Sequence, residues 1–256
     1  MDRPALLVTG SAVRIGRGLI LAAARDGHDV AIHYNNSATH ADETAAECRS
    51  LGVQAFTYAH DLRNADGLDG LMMRVLDDLP HLGCLVNCAS AYTECSIMEA
   101  DVATYNQQAE VNLRAPFFLT QAFARHVKKG LVVNVLDNKI GFHQYPYAAY
   151  LLPKIGLERF TKMAALELAP NIRVNAISPG IVMPGATRTS PYLDWRTEAI
   201  PVGYVGTVGD LYRGLRFLLD SPFVSGQILT IDGGENINLV GRNATNFDPA
   251  GAKSKL

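Results

Sequence analysis

The stretch ALLVTGSAVRIGRG, residues 5–18, joins an apolar run to a glycine-rich turn and then to a helical pattern. Residues 5–8 are apolar without alternation, as expected for a strand that is buried on both faces. Gly10, Gly16 and Gly18 lie where the chain passes from this strand into the helix. The stretch therefore predicts a parallel strand that leads directly into a crossover helix.

The same alternation continues along the chain. Further strands are predicted at 29–34, 54–59, 84–87, 131–136, 172–177 and 228–232, and helices at 16–26, 38–50, 65–79, 101–128, 150–168 and 208–219. Apolar strands that alternate with helices require a parallel sheet covered on both sides, and such crossovers are right-handed. We expect one doubly wound Rossmann-type α/β domain over residues 1–234, with about seven strands.

Two regions break the alternation. Residues 183–206 are too long for an ordinary connection and contain Trp195, the one tryptophan in the chain. Loops of this length in compact domains are usually functional lids or else disordered. We expect a substrate lid here, with Trp195 either closing the pocket or anchoring the loop. Residues 235–256 are polar and weakly patterned, so they are predicted to form a C-terminal tail.

Composition narrows the class of protein. The 256 residues have a formal net charge of −2, without the excess of Lys and Arg that binding to nucleic acid requires. No apolar run approaches the ~20 residues of a membrane span, and the N-terminus lacks a signal-peptide pattern. The four cysteines and seven histidines show no metal-ligand spacing. We expect a reduced, cytoplasmic protein that binds a small molecule and no metal.

The glycine turn is typical of a dinucleotide site. Small residues let the backbone approach a pyrophosphate, and the helix N-terminus favours its charge. The second strand ends in HYNNS, residues 33–37, without the acid that usually holds the ribose of NAD. This neutral run favours NADP(H). Arg14 in the turn is a candidate partner for the 2′-phosphate, although a solvated loop arginine is the alternative.

The segment YLLPK, residues 150–154, places Tyr150 and Lys154 on one helix face. A free tyrosine has a pKa near ~10, and a neighbouring ammonium is expected to lower it towards the range of a general acid or base. Pro153 is tolerable only near the start of a helix. We therefore expect the helix to begin close to residue 150 or to be distorted there.

These features occur in register with HDL at 60–62, NCAS at 87–90, EVNL at 110–113, SPG at 178–180 and DGG at 232–234. Together they resemble the short-chain dehydrogenase/reductase family over roughly residues 4–234. The resemblance implies a nicotinamide-dependent oxidoreductase, usually a homotetramer whose subunits pack through the segments 101–128 and 150–168.

The glycine turn and the resemblance together define a cofactor site. Asp61 and Leu62 would border the adenine, and Pro179 and Gly180 the nicotinamide. The complete expected set is Gly10, Arg14, Ile15, Gly16, His33, Tyr34, Asn35, Asn36, Ser37, Asp61, Leu62, Asn87, Ser90, Tyr150, Lys154, Pro179, Gly180 and Ile181.

The resemblance also implies a catalytic set of Asn112, Asp137, Tyr150 and Lys154, in which the asparagine holds a water that relays protons. Most of the family has a serine thirteen residues before the catalytic tyrosine, where this chain has Asp137. The difference is compatible with lost activity, a relaxed site or a different substrate. An ionised carboxylate only accepts hydrogen bonds, so it repels a carbonyl oxygen and attracts the N–H edge of a nitrogen heterocycle.

Other differences from the usual family pattern also favour a different substrate. Asp137, Arg14 in the turn, Ser90 and the segment ELAP at 167–170 resemble the pteridine reductase branch. That branch implies a pterin stacked between the nicotinamide and Tyr92, which is physically sound for a flat heterocycle.

The expected substrate set is Arg14, Ser90, Tyr92, Asp137, Tyr150 and Trp195. The reaction would be hydride transfer from NADPH to a C=N carbon, with Tyr150 giving a proton to the adjacent nitrogen. The alternatives are a reductase of another carbonyl substrate, such as a 3-oxoacyl thioester or a sugar ketone, and a cofactor-binding protein without turnover.

Overall fold

The computed structural model describes residues 3–183, 190–238, 242 and 247–249. Its centre is a seven-stranded sheet in which every neighbouring pair is parallel. The strands are β1 Ala5–Val8, β2 Val30–Tyr34, β3 Ala55–Ala59, β4 Leu82–Asn87, β5 Gly130–Val135, β6 Ile172–Pro179 and β7 Ile228–Ile231. The predicted doubly wound α/β fold is confirmed.

The order of the strands is β3-β2-β1-β4-β5-β6-β7. The chain builds outward from β1 to β3 and then returns to the other side of β1 with β4. The direction of winding therefore reverses between β1 and β4. In open parallel sheets, a ligand crevice forms at the carboxyl ends of the strands at such a reversal.

Helices cover both faces of the sheet. Their bounds are α1 Arg14–Arg25, α2 Ala38–Ser50, α3 Leu68–Asp78, α4 Val102–Ala109, α5 Ala115–His126, α6 Ala148–Glu167, α7 Ser190–Thr197, α8 Val208–Asp220 and α9 Glu235–Asn238. One buried apolar cluster lies under α1, α2 and α8, and a second under α3, α5 and α6. The strands between the two clusters contribute side chains to both, and all four residues of β1 are buried.

The single helix predicted at 101–128 is interrupted. A π-helical turn at Glu110–Arg114 separates α4 from α5 and contains Asn112. Such turns inside α-helices occur mostly at functional sites because they redirect a side chain. The pattern of apolar residues across 101–128 does not reveal the interruption.

Helix α6 begins at Ala148, which puts Tyr150 in its opening turn as predicted. A short 3₁₀ turn at Tyr145–Tyr147 precedes it. Pro153 lies in the second turn, where its missing N–H deprives the carbonyl of Ala149 of its usual helical donor.

The predicted lid contains a helix, α7, which was not expected within 183–206. A backbone hydrogen bond of 3.1 Å from the N–H of Gly206 to the carbonyl of Ile181 closes the base of this segment. Residues 184–189 of the predicted lid lie outside the described residues.

The first residue of the predicted tail packs against the body of the protein, since Glu235 is 1% exposed. The boundary at residue 234 remains a prediction. Beyond α9, the structure describes only residue 242 and residues 247–249 of the remaining tail. Among the described residues, no helix is both long and apolar enough to cross a membrane.

Candidate active site

The carboxyl ends of β1, β4, β5 and β6 bring the sequence-predicted residues to one edge of the sheet. Gly10 follows β1, Ser90 follows β4, and Asp137 follows β5. Pro179 ends β6. Because parallel strands all end at the same edge, segments distant in sequence converge here.

The glycine turn is built for close backbone approach. Gly10 has φ +65°, and a Cβ there would lie 3.0 Å from the Cα of Ala89. A Cβ on Gly16 would lie 2.5 Å from the carbonyl oxygen of Gly10, so a side chain cannot be accommodated. The turn is thus held tightly against β4 and opens onto the N-terminus of α1, which is the geometry that a pyrophosphate needs.

His33 supports this turn from below and does not face the crevice. Its Nδ1 accepts the N–H of Gly10 at 3.1 Å, and its Nε2 is 3.0 Å from the carbonyl of His60. Burial lowers the pKa of His33 to about 4, so the ring is neutral. With both nitrogens engaged, the predicted direct cofactor contact of the His33 side chain is corrected to a role through Gly10.

The chain after β2 is open and neutral. Tyr34 is half-buried, Asn35 and Asn36 are exposed, and Ser37 is the residue before α2. The side chain of Ser37 makes no cap hydrogen bond within the described part of the chain, and no acid occupies the first turn of α2. The free backbone N–H groups at this helix start can therefore receive an anionic phosphate.

Arg14 has an unusual backbone. Its φ is +53°, the one positive value among the described non-glycine residues, and such a conformation costs roughly 1–2 kcal/mol. Its guanidinium donates to the carbonyl of Met183 at 3.0 Å, so Arg14 connects the glycine turn to the start of the lid. Ile15 follows it, half-buried, in the first turn of α1.

The other predicted cofactor residues lie along the same edge. Asp61 is held by Arg63, whose hydrogen bonds lower the pKa of this carboxyl, while Leu62 is buried. The N–H of Gly180 donates to the carbonyl of Ile231 at 3.0 Å, which fixes the turn after Pro179 against β7.

Asn87 is less accessible than expected. It is 2% exposed, and its Nδ2 donates to the Oδ1 of Asn134 at 2.9 Å inside the sheet. The amide nitrogen therefore has a structural role, and the expected cofactor contact of Asn87 remains a prediction. Its Oδ1 has no partner among the described residues, which leaves one acceptor for a ligand donor.

Asp137 and Tyr150 form the chemical centre. The Tyr150 hydroxyl donates to Oδ2 of Asp137 at 2.8 Å, and the N–H of Lys139 donates to Oδ1 at 2.9 Å. Tyr150 is buried, at 4% exposure. Burial, followed by the charge of Asp137 and the hydrogen bond to it, raises the pKa of Tyr150 well above its ordinary value. Tyr150 therefore holds its proton at neutral pH.

Lys154 does not have the expected effect on that tyrosine. Its Nζ donates to the carbonyl of Val135 at 2.7 Å and lies 6.0 Å from the Tyr150 ring centre. Burial lowers the pKa of Lys154 itself to about 8. The prediction that Lys154 lowers the pKa of Tyr150 is wrong here because burial and Asp137 dominate.

Asn112 reaches the site from the π-helical turn. Its Nδ2 donates to the carbonyl of Ala91 at 2.8 Å, and its Oδ1 accepts the hydroxyl of Ser90 at 3.0 Å. Ser90 also interacts with the hydroxyl of Tyr150. The π-helical turn thus orders the loop that carries Ser90 and, two residues later, Tyr92.

An aromatic wall borders the site. The Tyr92 ring is stacked on Tyr147 with centroids 5.3 Å apart, and it meets Tyr150 edge to face at 4.8 Å. Lys139 donates to the Tyr92 hydroxyl at 2.9 Å and lies 4.2 Å from the Tyr147 ring centre. Tyr92 is 45% exposed, so it is accessible to a flat ligand at the mouth of the site.

Trp195 is occupied elsewhere. Its ring packs with Tyr192 at 6.1 Å and with Phe247 at 5.4 Å, and the Arg242 guanidinium lies 4.9 Å from the ring centre. Of the two predicted roles of Trp195, these contacts favour a lid anchor, and a substrate contact remains a prediction. Of these partners, Tyr192 belongs to α7, and Arg242 and Phe247 come from the predicted tail.

Sequence reasoning missed a group behind Asp137. Asn138, Arg196 and Glu235 are buried, and Glu235 contacts both of the others. Asn138 could have been found from its place beside Asp137. Arg196 and Glu235 gave no signal, because each lies in a segment without clear periodicity.

Comparison with known proteins gives two kinds of relatives. A family model described as enoyl-(acyl carrier protein) reductase matches residues 10–236. A 3-oxoacyl-[acyl-carrier-protein] reductase of Synechocystis sp. is 29% identical over 238 residues, which cover 89% of this chain and 95% of that protein. FabG of Staphylococcus aureus strain N315, of the same description, is 27% identical over 237 residues, covering 89% and 96%.

Solved structures point to a second group. FolM alternative dihydrofolate reductase 1 from Brucella suis, in complex with NADP, superposes with a TM-score of 0.84 and 29% identity, over 91% of this chain and 95% of that one. The Brucella canis protein complexed with NADP gives a TM-score of 0.86 and 28% identity, over 92% and 95%.

Replacement of Asp137 tests the electrostatics of the pair. Asp137→Asn removes the charge that disfavours the phenolate, so the pKa of Tyr150 should fall, while burial keeps it above the ordinary value. The measurement is a pH titration of the ¹³Cζ resonance of labelled tyrosine, with Tyr150 assigned by its loss in Tyr150→Phe. An unchanged or increased pKa would contradict the pairing.

Proposed function

Because the chain belongs to the short-chain dehydrogenase/reductase family, we propose that it is an NADPH-dependent reductase of a pterin-type substrate. The family match covers residues 10–236 and establishes an oxidoreductase. The observation that carries the finer proposal is the Asp137 carboxylate, 2.8 Å from the Tyr150 hydroxyl.

The carboxylate of Asp137 determines which polar groups of a substrate can bind beside it. An ionised carboxylate offers only acceptors, and next to a substrate carbonyl oxygen its charge is unfavourable. A pterin presents ring N–H and NH₂ donors beside the C=N bond that is reduced. A donor of this kind satisfies the Oδ2 lone pairs of Asp137 and competes with Tyr150 for them. Charge-assisted hydrogen bonds are the stronger class, so this edge is favoured over a ketone.

The residues then have distinct tasks. NADPH, when bound, supplies the hydride for the carbon of the substrate C=N bond. Tyr150, released from Asp137 by the substrate donor, turns its hydroxyl to the adjacent ring nitrogen and gives it a proton. Burial and Asp137 keep Tyr150 protonated, and a substrate donor that takes up the charge of Asp137 makes this proton easier to release. Lys154 and Asn112 order the surrounding loops and the ribose side of the site.

Tyr92 supports a planar ligand. Its exposed ring stands edge to face with Tyr150, next to the place of proton transfer. Aromatic side chains bind flat heterocycles through their faces and leave the polar edges free. A pterin on this wall would direct its donor edge towards Asp137.

Overall identity does not choose between the two kinds of relatives. The 3-oxoacyl-carrier-protein reductases are 27–29% identical to this chain, and the FolM proteins are 28–29% identical. The proposal of a pterin is therefore supported by Asp137 and not by overall identity. A 3-oxoacyl thioester reductase remains the second candidate, favoured by the curated relatives.

The cofactor site fits NADP(H). The run after β2 contains Asn35, Asn36 and Ser37 and no carboxylate, and the start of α2 offers free N–H groups. The guanidinium of Arg14, which donates to the carbonyl of Met183, is a further candidate cation for a phosphate. The FolM structures were solved with NADP, which agrees with this choice.

We infer a homotetramer from exposed apolar side chains on the helices through which the family packs. Val102 on α4 is 76% exposed, Phe117 on α5 43%, and Leu166 and Met163 on α6 83% and 66%. Large apolar side chains grouped on neighbouring helices are typical of subunit contacts.

Substrate specificity is tested by NADPH oxidation with dihydrobiopterin, 7,8-dihydrofolate and an acetoacetyl thioester. We expect turnover of a dihydropterin and little of the thioester. Asp137→Ser should reduce kcat/KM for the pterin about 100-fold, or about 2.7 kcal/mol, because the acceptor is lost. Asp66→Ser, at an exposed acid, serves as the control. Activity on the thioester alone contradicts the proposal, and no activity on any substrate favours a cofactor-binding protein.

Cofactor choice is tested with Asn35→Asp. A carboxylate at this position repels the 2′-phosphate, so the Kd for NADPH should rise about tenfold, or about 1.4 kcal/mol, without loss of NADH binding. The measurement is fluorescence titration with each cofactor. Asn171→Asp makes the same charge change at the other edge of the sheet and should have no effect. Equal weakening of both cofactors would argue against a phosphate site here.

Subunit assembly is tested by the mass in solution. The wild-type chain has a mass of 27.7 kDa. Light scattering of the protein in solution is expected to give four times that mass. Phe117→Glu should give smaller species, because a charge replaces an apolar contact. Leu51→Glu, at the end of α2, is the matched exposed control. A monomeric wild-type protein would overturn the inference.

A further inference from the structure

A buried ion pair joins the lid to the end of the chain body. The guanidinium of Arg196 on α7 lies 2.7 Å from Oε1 of Glu235, and the side chains are only 5% and 1% exposed. Residues of the C-terminal segment and of the lid thus meet in the interior. Removing two charges from water costs free energy that their attraction often does not offset. A buried ion pair is therefore weak evidence for added stability, and a role other than stability is worth considering.

The pair is connected to the catalytic segment through Asn138. The Nδ2 of Asn138 donates to Oε2 of Glu235 at 2.9 Å and to Oδ2 of Asp232 at 3.3 Å. Asn138 is 4% exposed and follows Asp137 directly. The backbone that carries Asp137 is therefore held from behind, while its carboxylate faces Tyr150.

Charged groups of both signs surround Glu235. Glu235 faces Arg196, Asn138, Asp232 and Asp137. Burial raises the pKa of Glu235, Arg196 and Asn138 oppose that increase, and Asp232 and Asp137 add to it. Two further carboxylates near one buried glutamate reduce stability, and Arg196 is the cation that offsets them. Arg196 lies on α7, so that helix supplies the cation of the cluster.

We propose that the Arg196–Glu235 pair, acting through Asn138, is a positioning element that holds Asp137 against Tyr150 and ties that placement to helix α7. Substrate capture by the lid and placement of the acceptor are then one structural event. The inference rests on the proposed function only where substrate turnover is used to test it.

Asn138→Ala is the deciding variant, because it removes the link and leaves the ion pair intact. The control is Tyr212→Phe, which deletes a hydrogen bond of 2.9 Å to Asp26 at a partly buried site between α8 and the end of α1. Asn138→Ala removes the hydrogen bonds to Glu235 and Asp232, and Tyr212→Phe removes one bond, but only the first variant is connected to Asp137. Thermal unfolding is measured for each, so that a general loss of stability is visible.

The first readout needs no substrate. Tyr150 faces Asp137, Tyr92, Ser90 and Lys154, and the two interactions with Asp137 contribute to its raised pKa. In Asn138→Ala the ¹³Cζ titration of Tyr150 should move to lower pH, in the same direction as in Asp137→Asn. In Tyr212→Phe it should stay at the wild-type position. This result is independent of whether the substrate is a pterin.

The second readout is turnover. Misplacement of a reacting group by about 1 Å can cost about 100-fold in rate, so Asn138→Ala should lower kcat at least about tenfold with the Kd of NADPH unchanged. Arg196→Met should lower kcat similarly, and Arg196→Lys, which keeps the charge, should restore most of it. If Arg196→Met does not fold, Asn138→Ala still decides. A wild-type Tyr150 titration and wild-type kcat in Asn138→Ala would overturn the proposal.

Discussion

The hydrogen bond between Tyr150 and Asp137 sets the chemistry of the whole site. A buried hydroxyl beside a carboxylate keeps its proton, and the carboxylate can accept from a ligand but never donate to it. Both properties follow from one substitution in a pattern that usually has serine. Everything else around the pair either shields it from water or fixes the angle at which the two side chains meet.

The parallel sheet makes this pairing achievable. Asp137 and Tyr150 are thirteen residues apart, and the segment between them leaves β5 and returns in α6 at the same edge. The glycine turn after β1 and the loop after β4 end at that edge as well. An acid, a cofactor cradle and an aromatic wall are thus supplied by separate strands, so each can vary without disturbing the core.

The sequence was sufficient for the architecture and for the residues that belong to motifs. Apolar runs predicted all seven strands, and the spacing of Tyr150 and Lys154 predicted a shared helix face. Motifs do not report burial, however. His33 and Asn87 matched positions near the cofactor, yet their side chains are engaged inside the protein. The pKa of Tyr150 also depends on its burial and on the distance to Asp137, which no spacing reveals.

The sequence did not predict contacts between distant segments that lack a clear apolar pattern. Arg196 and Glu235 lie 39 positions apart in a lid and a supposed tail, and only the folded chain shows that they are paired in the interior. The π-helical turn at Asn112 was hidden for a different reason. Its residues have ordinary helical character, and the hydrogen bond from Ser90 to Asn112 is a contact between segments distant in sequence.

The surroundings of Trp195 have an optical consequence. The chain has one tryptophan, and its ring lies on α7 between Tyr192, Phe247 and the Arg242 guanidinium. All of its indole emission therefore comes from the place where the lid meets the C-terminal segment. The lid therefore contains an intrinsic fluorophore. A change in the packing around Trp195 should change the emission without an added label.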